Sequence, residues 1–158
     1  MPNSSSDIRS TEGYTAYLGL GSNLGDSSRL LDAAVGALRA HTRIQAVQES
    51  SRRRTDPVGV GYSASFLNSV IRLSTDCEPE ELLELAQSIE AEHGRDRSRS
   101  DRTLDIDLLL VYSETDRSWL VRDVDPVLPH PRMHTRAFVL EPLLELLSPD
   151  QLAQALRH

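Results

Sequence analysis

Apolar positions along the chain recur with two periods, one of two residues and one near 3.6, and these periods distinguish strands from helices. Strands are predicted at residues 14–20, 44–54, 66–73 and 103–111. Helices are predicted at residues 28–41, 79–93, 136–147 and 151–156. Pro79 suits a first helical position and Gly94 follows the second helix, which marks both of its ends. Asp26 or Ser27 is a suitable N-cap for the first helix.

The first six predicted elements follow the order β-α-β-β-α-β, which is that of the ferredoxin-like split βαβ arrangement. We therefore expect an α+β fold with an antiparallel four-stranded sheet, two helices on one face and additional C-terminal helices. The opposite face is then either open to a ligand or covered by loops and the C-terminal helices. Residues 1–12 are polar and Ser-rich, so we expect a disordered tail and a single domain at residues 13–158.

Composition narrows the class of protein. Hydrophobic residues make up 39% of the chain and charged residues 26%, which is usual for a soluble domain. No apolar run approaches the length of a membrane span, and the N-terminal residues contain no apolar segment of a signal peptide. We therefore expect a cytoplasmic protein without a membrane partner. Cys77 is the only cysteine, so an internal disulfide is excluded.

The charged residues restrict the chemistry further. A formal net charge of −7 and an aromatic content of 4% argue against nucleic-acid binding. All 17 basic residues are arginines, which excludes a P-loop lysine and Schiff-base chemistry. Phosphate recognition in this chain would therefore depend on arginine, backbone amides or a metal ion.

Two aspartates alternate with apolar residues in the last predicted strand. Because strand side chains alternate between faces, the core face would hold Leu104, Ile106, Leu108 and Leu110. Asp105 and Asp107 would share the other face, roughly 6–7 Å apart. Carboxylates this close repel each other unless a cation or water lies between them, and two Mg²⁺ ions can share such a pair. The alternative is a solvated polar face of an amphipathic strand.

The loop before this strand is cationic. It contains four arginines separated by polar residues, namely Arg95, Arg97, Arg99 and Arg102. Beside a metal-binding carboxylate pair, such a loop would clamp a polyphosphate. The alternative is a solvated, charged loop.

A second polar loop holds a histidine between two prolines. His130 can donate to a phosphate or a leaving-group oxygen, and Arg132 and Arg136 follow it. The alternative is a helix-capping histidine with exposed arginines. His130 and His134 have no third ligand at suitable spacing, so a zinc site is disfavoured.

Two further segments could contact a ligand. The glycines of residues 19–25 depart from the dinucleotide-binding spacing, so the segment is either a tight loop lining a ligand or a structural turn. Phe66 and Phe138 are the only phenylalanines, and Asn68 shares a strand face with Phe66. An aromatic plane beside an amide suits a flat heterocycle, although phenylalanines are more often core residues than ligand platforms.

Six segments in this order resemble the 6-hydroxymethyl-7,8-dihydropterin pyrophosphokinase family. They are residues 20–25, 55–59, 66–68, 89–90 together with 94–95, 102–107 and 128–133, within a resemblance that covers roughly residues 14–145. The most specific of them is the Arg-Thr-Leu-Asp-x-Asp segment at residues 102–107. The resemblance implies a ferredoxin-like, Mg²⁺-dependent enzyme of folate biosynthesis that transfers pyrophosphate from ATP to 6-hydroxymethyl-7,8-dihydropterin and releases AMP.

The resemblance also implies roles for individual residues. Asp105 and Asp107 would bind two Mg²⁺ ions and, with Arg97 and Arg102, form the catalytic group. The implied ATP contacts are Gln87, Glu90, Arg95, Arg97, Arg102, His130 and Arg136. The implied pterin contacts are Thr55, Val58, Phe66, Asn68 and Phe138. From their position on the second helix alone, Gln87 and Glu90 would both be exposed. ATP and the pterin would be the only partners of a monomer.

Two other classes of protein compete with this interpretation. A non-catalytic ferredoxin-like binding domain would keep the core pattern but would need neither the aspartate pair nor the arginine loop. An RNA-binding sheet would need exposed aromatic residues and positive charge, which the composition does not supply.

Overall fold

The computed structural model describes residues 13–23, 26–55, 65–93, 104–133 and 137–157. Within these ranges the strands are β1 Tyr14–Ser22, β2 Ile44–Glu49, β3 Arg53–Thr55, β4 Phe66–Thr75, β5 Asp105–Ser113 and β6 Ser118–Trp119. The helices are α1 Ser27–Ala40, α2 Pro79–Glu92, α3 Ala137–Leu143 and α4 Pro149–Ala155. The predicted N-terminal tail, residues 1–12, lies outside the described residues. No helix in the described ranges has the length and hydrophobicity needed to cross a membrane.

The strands form one antiparallel sheet in the order β2-β4-β1-β5-β6. β3 also pairs with β4, on the same side as β2. β3 lies beside the first residues of β4, whereas β2 lies beside the last ones. The ferredoxin-like α+β prediction is therefore confirmed, but the described residues form six strands rather than four. The additional strands are the separate β3 and the short β6, which closes a hairpin with β5.

Helices α1 and α2 cover one face of the sheet. Their apolar sides join the strands in a first core cluster that includes Leu18, Leu31, Ile71, Leu82 and Ile89. The side chain of Asp26 accepts the Arg29 N–H and caps α1, so Asp26 is the N-cap of the two candidates. At the start of α2, the Glu78 N–H donates to the Glu81 carboxylate.

The C-terminal helices cover part of the opposite face. A second core cluster there includes Tyr17, Val70, Leu110, Met133 and Leu143. The helix predicted at residues 136–147 ends earlier, because the carbonyls of Pro142 and Leu143 accept from N–H groups only three residues later. Ser148 then caps α4 by accepting the Gln151 N–H.

The prediction of one continuous strand at residues 44–54 was wrong, because Ser50 separates β2 from β3. The Ser50 N–H donates to the Val70 carbonyl at 2.9 Å, and the Ser50 hydroxyl oxygen accepts the Val70 N–H at 2.9 Å. The Ser50 hydroxyl thus accepts the Val70 N–H in place of a backbone carbonyl, and this interrupts the strand. The β2 register is also irregular near Ala46, whose φ of 49° is unusual for a residue with a Cβ.

The prediction that Leu110 shares the core face with Leu104, Ile106 and Leu108 was also wrong. Tyr17 pairs with Leu110 and Leu18 pairs with Leu108, so Leu109 is one extra residue in β5. This bulge turns Leu110 to the second cluster, whereas the three other residues remain in the first.

Candidate functional site

One row of register partners crosses four strands on the face opposite α1 and α2. Gly21 pairs with Asp105 on one side and with Asn68 on the other, and Asn68 pairs with Arg53. Because neighbouring strands lie about 4.8 Å apart, the Asp105 and Asn68 backbones are separated by about 10 Å. A Cβ on Gly21 would lie 3.1 Å from Asn68 Oδ1, so glycine leaves an open floor between these side chains.

Asp107 lies next to this row, paired with Gly19. Ile106, between the two aspartates, is buried in the first core cluster, so Asp105 and Asp107 are both on the opposite face. Both residues are half-buried. A Cβ on Gly19 would already contact the Leu109 side chain at 3.6 Å, which indicates close packing beneath Asp107.

The aspartate pair suits a magnesium ion by the chemistry of its donors. Carboxylate oxygens are the ligands that Mg²⁺ prefers, and Mg²⁺ commonly takes one or two carboxylates together with substrate phosphates. The described residues contain no group of three or more acidic, histidine or cysteine side chains that could enclose a metal. Two carboxylates leave the other coordination positions of such an ion to water and to phosphate oxygens of a substrate.

The predicted pterin contacts on the sheet lie together. Thr55 and Phe66 are register partners, and Asn68 follows two residues after Phe66 on the same face. Asn68 is only 5% exposed, and its Nδ2 donates to Thr55 Oγ1 at 3.1 Å. This bond assigns the amide orientation and turns Oδ1 toward Gly21. Phe138 lies on α3, half-buried against the second core cluster.

Arg53 connects this part of the sheet to α3. Its guanidinium pairs with Glu141 at 3.2 Å and with Glu145 at 2.7 Å. Glu145 also accepts from the Ser51 N–H at 2.8 Å and the Ser51 hydroxyl at 2.6 Å. We call Arg53, Ser51, Glu141 and Glu145 the Arg53 clamp. It joins the segment that carries Thr55 to the helix that carries Phe138.

The clamp predicts a pH-dependent contribution to stability. Hydrogen bonds from Ser51, followed by the Arg53 guanidinium, lower the pKa of Glu145 from 4.5 to about 2. Because the folded-state pKa is the lower one, this contribution is present above the unfolded-state pKa and is lost as the pH falls toward 2. The difference in melting temperature between wild type and Glu145→Gln should therefore be largest near neutral pH and should close in acid. Glu84→Gln, at an exposed position on α2, is the control, and a gap that does not change with pH would contradict the assignment.

The two predicted nucleotide contacts on α2 differ in exposure. Gln87 is exposed, as expected. Glu90 was expected to be exposed but is only 3% accessible, and its Oε2 accepts the Ile106 N–H at 2.8 Å. Ile106 is the residue between the two aspartates, so this carboxylate holds the backbone of the aspartate pair.

His130 is held beside β5. The His130 backbone N–H donates to the Leu109 carbonyl at 2.9 Å, so the bulge residue also fixes the position of the histidine loop. The Arg132 N–H donates to His130 Nδ1 at 3.2 Å. Neutral His130 therefore carries its proton on Nε2, the nitrogen suited to donate to a phosphate oxygen.

The remaining predicted site residues lie outside the described residues. They are Val58, Arg95, Arg97, Arg102 and Arg136. Arg99 and His134 also lie outside. Binding of the triphosphate by these arginines therefore stays a prediction.

A separate cleft of about 630 Å³ lies toward the other end of the same sheet face. Its walls include three aromatic side chains, Tyr17, Tyr112 and Trp119, together with Gln151 and Gln154 of α4. The described site residues predicted from the sequence do not line it. The row around Gly21 is thus distinct from this cleft.

Residues 19–25 were expected to form a tight loop lining a ligand or a structural turn, but the structure places Gly19 and Gly21 within β1. Their spacing, two residues apart at the end of an apolar strand, is the signal that could have indicated an open floor on one face. Arg53 and Glu145 gave no comparable signal, because they are 92 residues apart and each resembles an ordinary surface charge.

The family comparison matches residues 17–148 to the model of 7,8-dihydro-6-hydroxymethylpterin-pyrophosphokinase. Three similar proteins are each named 2-amino-4-hydroxy-6-hydroxymethyldihydropteridine pyrophosphokinase. The Bacillus subtilis protein is 43% identical over 133 residues, which span 83% of this chain and 77% of the relative. The Methylorubrum extorquens protein is 44% identical over 85% of this chain and 83% of its own length. The Haemophilus influenzae protein is 37% identical over 85% of this chain and 82% of its own length.

The match to the family model includes the floor of the site, the aspartate pair, His130 and Phe138. Identity at this level over most of both chains exceeds what a shared fold alone requires. The chain therefore belongs to the 7,8-dihydro-6-hydroxymethylpterin-pyrophosphokinase family.

Proposed function

We propose that this chain transfers pyrophosphate from ATP to 6-hydroxymethyl-7,8-dihydropterin in folate biosynthesis. In this reaction the pterin hydroxymethyl oxygen loses its proton to solvent and forms a bond to the β-phosphorus of ATP, the bond from that phosphorus to the α–β bridging oxygen breaks, and AMP leaves with that oxygen. The observation that carries the proposal is the row across Gly21, in which the backbones of Asp105 and Asn68 lie about 10 Å apart. A carboxylate suited to a metal and an amide suited to a heterocycle thus share one open floor.

The pterin would bind at the Asn68 end of this floor. Phe66 and Phe138 would stack on its two ring faces, while Thr55 and the Val58 backbone would contact its edge. Asn68 Nδ2 already donates to Thr55 Oγ1, so Asn68 Oδ1 is the atom suited to accept a ring N–H. A ring in this place would leave its hydroxymethyl group directed along the row toward the aspartates.

The triphosphate would bind at the Asp105 end. Asp105 and Asp107 would hold two Mg²⁺ ions, which neutralise phosphate charge when bound. His130 would donate from Nε2 to a phosphate oxygen, and Gln87 and Glu90 would contact the nucleotide. The triphosphate site would be completed by four arginines, Arg95, Arg97, Arg102 and Arg136. Arg97 and Arg102 would stabilise the charge that shifts during transfer.

A coupled assay for AMP tests the reaction class. We expect AMP release only when ATP, Mg²⁺ and the pterin are all present, with one pterin diphosphate formed per AMP. Omission of the pterin is the control for hydrolysis. AMP release that does not depend on the pterin would contradict the proposal. We further propose a monomer that acts in the cytoplasm, for which size-exclusion chromatography with light scattering and cell fractionation are the tests.

Phe138→Ala should weaken pterin binding more than nucleotide binding. Stacking on an aromatic side chain contributes about 1–3 kcal/mol per ring in nucleic-acid binders, which is a fair guide for a pterin. Calorimetry with each ligand separately gives both affinities. Leu140→Ala is the matched control, because Leu140 lies on the same helix and packs against the same cluster. Equal losses for the two ligands, or for the two variants, would identify Phe138 as a packing residue only.

A further inference from the structure

The Arg53 clamp joins the two sides of the proposed pterin slot. On one side, Arg53 is the register partner of Asn68 and lies two residues before Thr55, on the same strand face. On the other side, Glu141 follows Phe138 by three residues, so the two share one side of α3. The ion pairs of the clamp therefore span the gap between the edge-reading residues and a stacking ring.

The Arg53 clamp lies at the surface, and its members are joined by several bonds that share partners. Arg53 contacts Glu141 on α3 at 3.2 Å and Glu145, two residues beyond the end of α3, at 2.7 Å. Glu145 receives three hydrogen bonds, two from Ser51 and one from Arg53. Several charge-assisted bonds that share partners restrict relative motion more than one exposed ion pair does.

The neutralised charge of Arg53 argues against a phosphate role for this residue. Arg53 lies in the same row as Asp105 but three strands away from it, at the end where the pterin would bind. Its guanidinium is also already paired with two carboxylates, and an incoming phosphate would have to displace them. A structural link to α3 explains both the pairing and the location.

We propose that Arg53 and Glu145 are positioning residues that set the width of the pterin slot by holding α3 against β3 and β4. The proposal rests on the proposed function, because it names the pterin as the ligand whose binding the clamp controls. Loss of the clamp would allow α3 to move away from the sheet. The stacking ring would then contact the pterin less closely, whereas the triphosphate end, held by β5 and its loops, would be unaffected.

The neighbouring Arg52 provides a matched control. Arg52 also pairs with two carboxylates, Glu49 at 2.8 Å and Asp32 at 2.8 Å, but it links to α1 rather than to α3. Arg52→Ala thus removes an arginine with two ion pairs from the same short segment without touching the clamp.

The experiment compares Arg53→Ala, Glu145→Gln and Arg52→Ala by steady-state kinetics. We expect Arg53→Ala to raise the KM for the pterin about tenfold, which is a partial loss of one stacking contact. Glu145→Gln should raise it less, because Arg53 still pairs with Glu141 and a glutamine oxygen can still accept hydrogen bonds. The KM for ATP and the kcat at saturating pterin should stay within about twofold of wild type, since neither depends on slot width. Arg52→Ala should leave all three constants within about twofold. The double variant Arg53→Ala/Glu145→Gln should be little worse than Arg53→Ala alone, because Arg53→Ala already removes both ion pairs of the clamp.

Amide exchange at residues 137–143 gives a readout independent of catalysis. Exchange there should be faster in Arg53→Ala than in wild type and unchanged in Arg52→Ala. Unchanged exchange in Arg53→Ala would overturn the proposed role of the clamp in setting the width of the pterin slot. Faster exchange with an unchanged KM for the pterin would overturn that role too. A parallel rise in both KM values would overturn it as well. A folded wild type that turns over neither substrate would instead overturn the proposed function, which separates the two failures.

Discussion

Asp107→Ala should lower pyrophosphate transfer by about a thousandfold, equivalent to about 4 kcal/mol of transition-state stabilisation. Asp105 and Asp107 share one sheet face beside the glycine floor, and each would supply oxygen ligands to Mg²⁺. Removal of either carboxylate leaves only the other member of the pair to bind the metal, so Asp105→Ala should have an effect of similar size. The measurement is kcat at saturating ATP, Mg²⁺ and pterin.

The fold should survive both substitutions, because each aspartate is half-buried and Ile106 keeps the strand in the core. Circular dichroism and the melting temperature check this. Asp150→Ala, at an exposed position in the first turn of α4, is the matched control and should retain wild-type turnover. Near-wild-type kcat in Asp105→Ala or Asp107→Ala would identify the pair as a solvated polar face.

Glu90→Ala should lower the free energy of unfolding by about 2–4 kcal/mol, a large part of the stability of a domain this size. Glu90 is 3% exposed, and its carboxylate accepts the Ile106 N–H at 2.8 Å. Without it, a backbone donor on β5 loses its partner and the deleted side chain leaves a cavity. Because Ile106 lies between Asp105 and Asp107, turnover should also fall at temperatures where the variant is folded.

Glu90→Gln separates the roles of shape and charge. A glutamine Oε1 can still accept the Ile106 N–H, so this variant should lose much less stability than Glu90→Ala. Chemical denaturation of both variants measures the difference. Glu84→Ala, at an exposed position on the same helix, should change stability by no more than about 0.5 kcal/mol. A Glu90→Ala protein as stable as this control would show that the backbone contact contributes nothing.

The strand at residues 44–54 illustrates where local pattern reading fails. The segment contains no glycine or proline to mark a break, yet Ser50 interrupts it by bonding to Val70 with both its backbone and its side chain. The partner is 20 residues away, so a serine that ends a strand and a serine within one look the same locally.

The bulge in β5 has a similar explanation. Leu108, Leu109 and Leu110 form a continuous apolar run, which contains no alternation from which to assign faces. Apolar residues were required on both sides at this point, because α3, α4 and Met133 form a second cluster over the face opposite the first. The extra residue, Leu109, allows side chains of this run to pack on both faces of the sheet. Its carbonyl also accepts the His130 backbone N–H.

The sequence by itself determined the order of the main elements, the ferredoxin-like class, the shared face of Asp105 and Asp107, and the family. Each of these depends on periodicity or on residues close together in the chain, which a linear pattern records. Only the tertiary structure decided the burial of Glu90, the floor at Gly21 and the Arg53 clamp. These depend on partners 16, 47 and 92 residues away, and a polar side chain becomes buried or paired only when packing brings its partner to it.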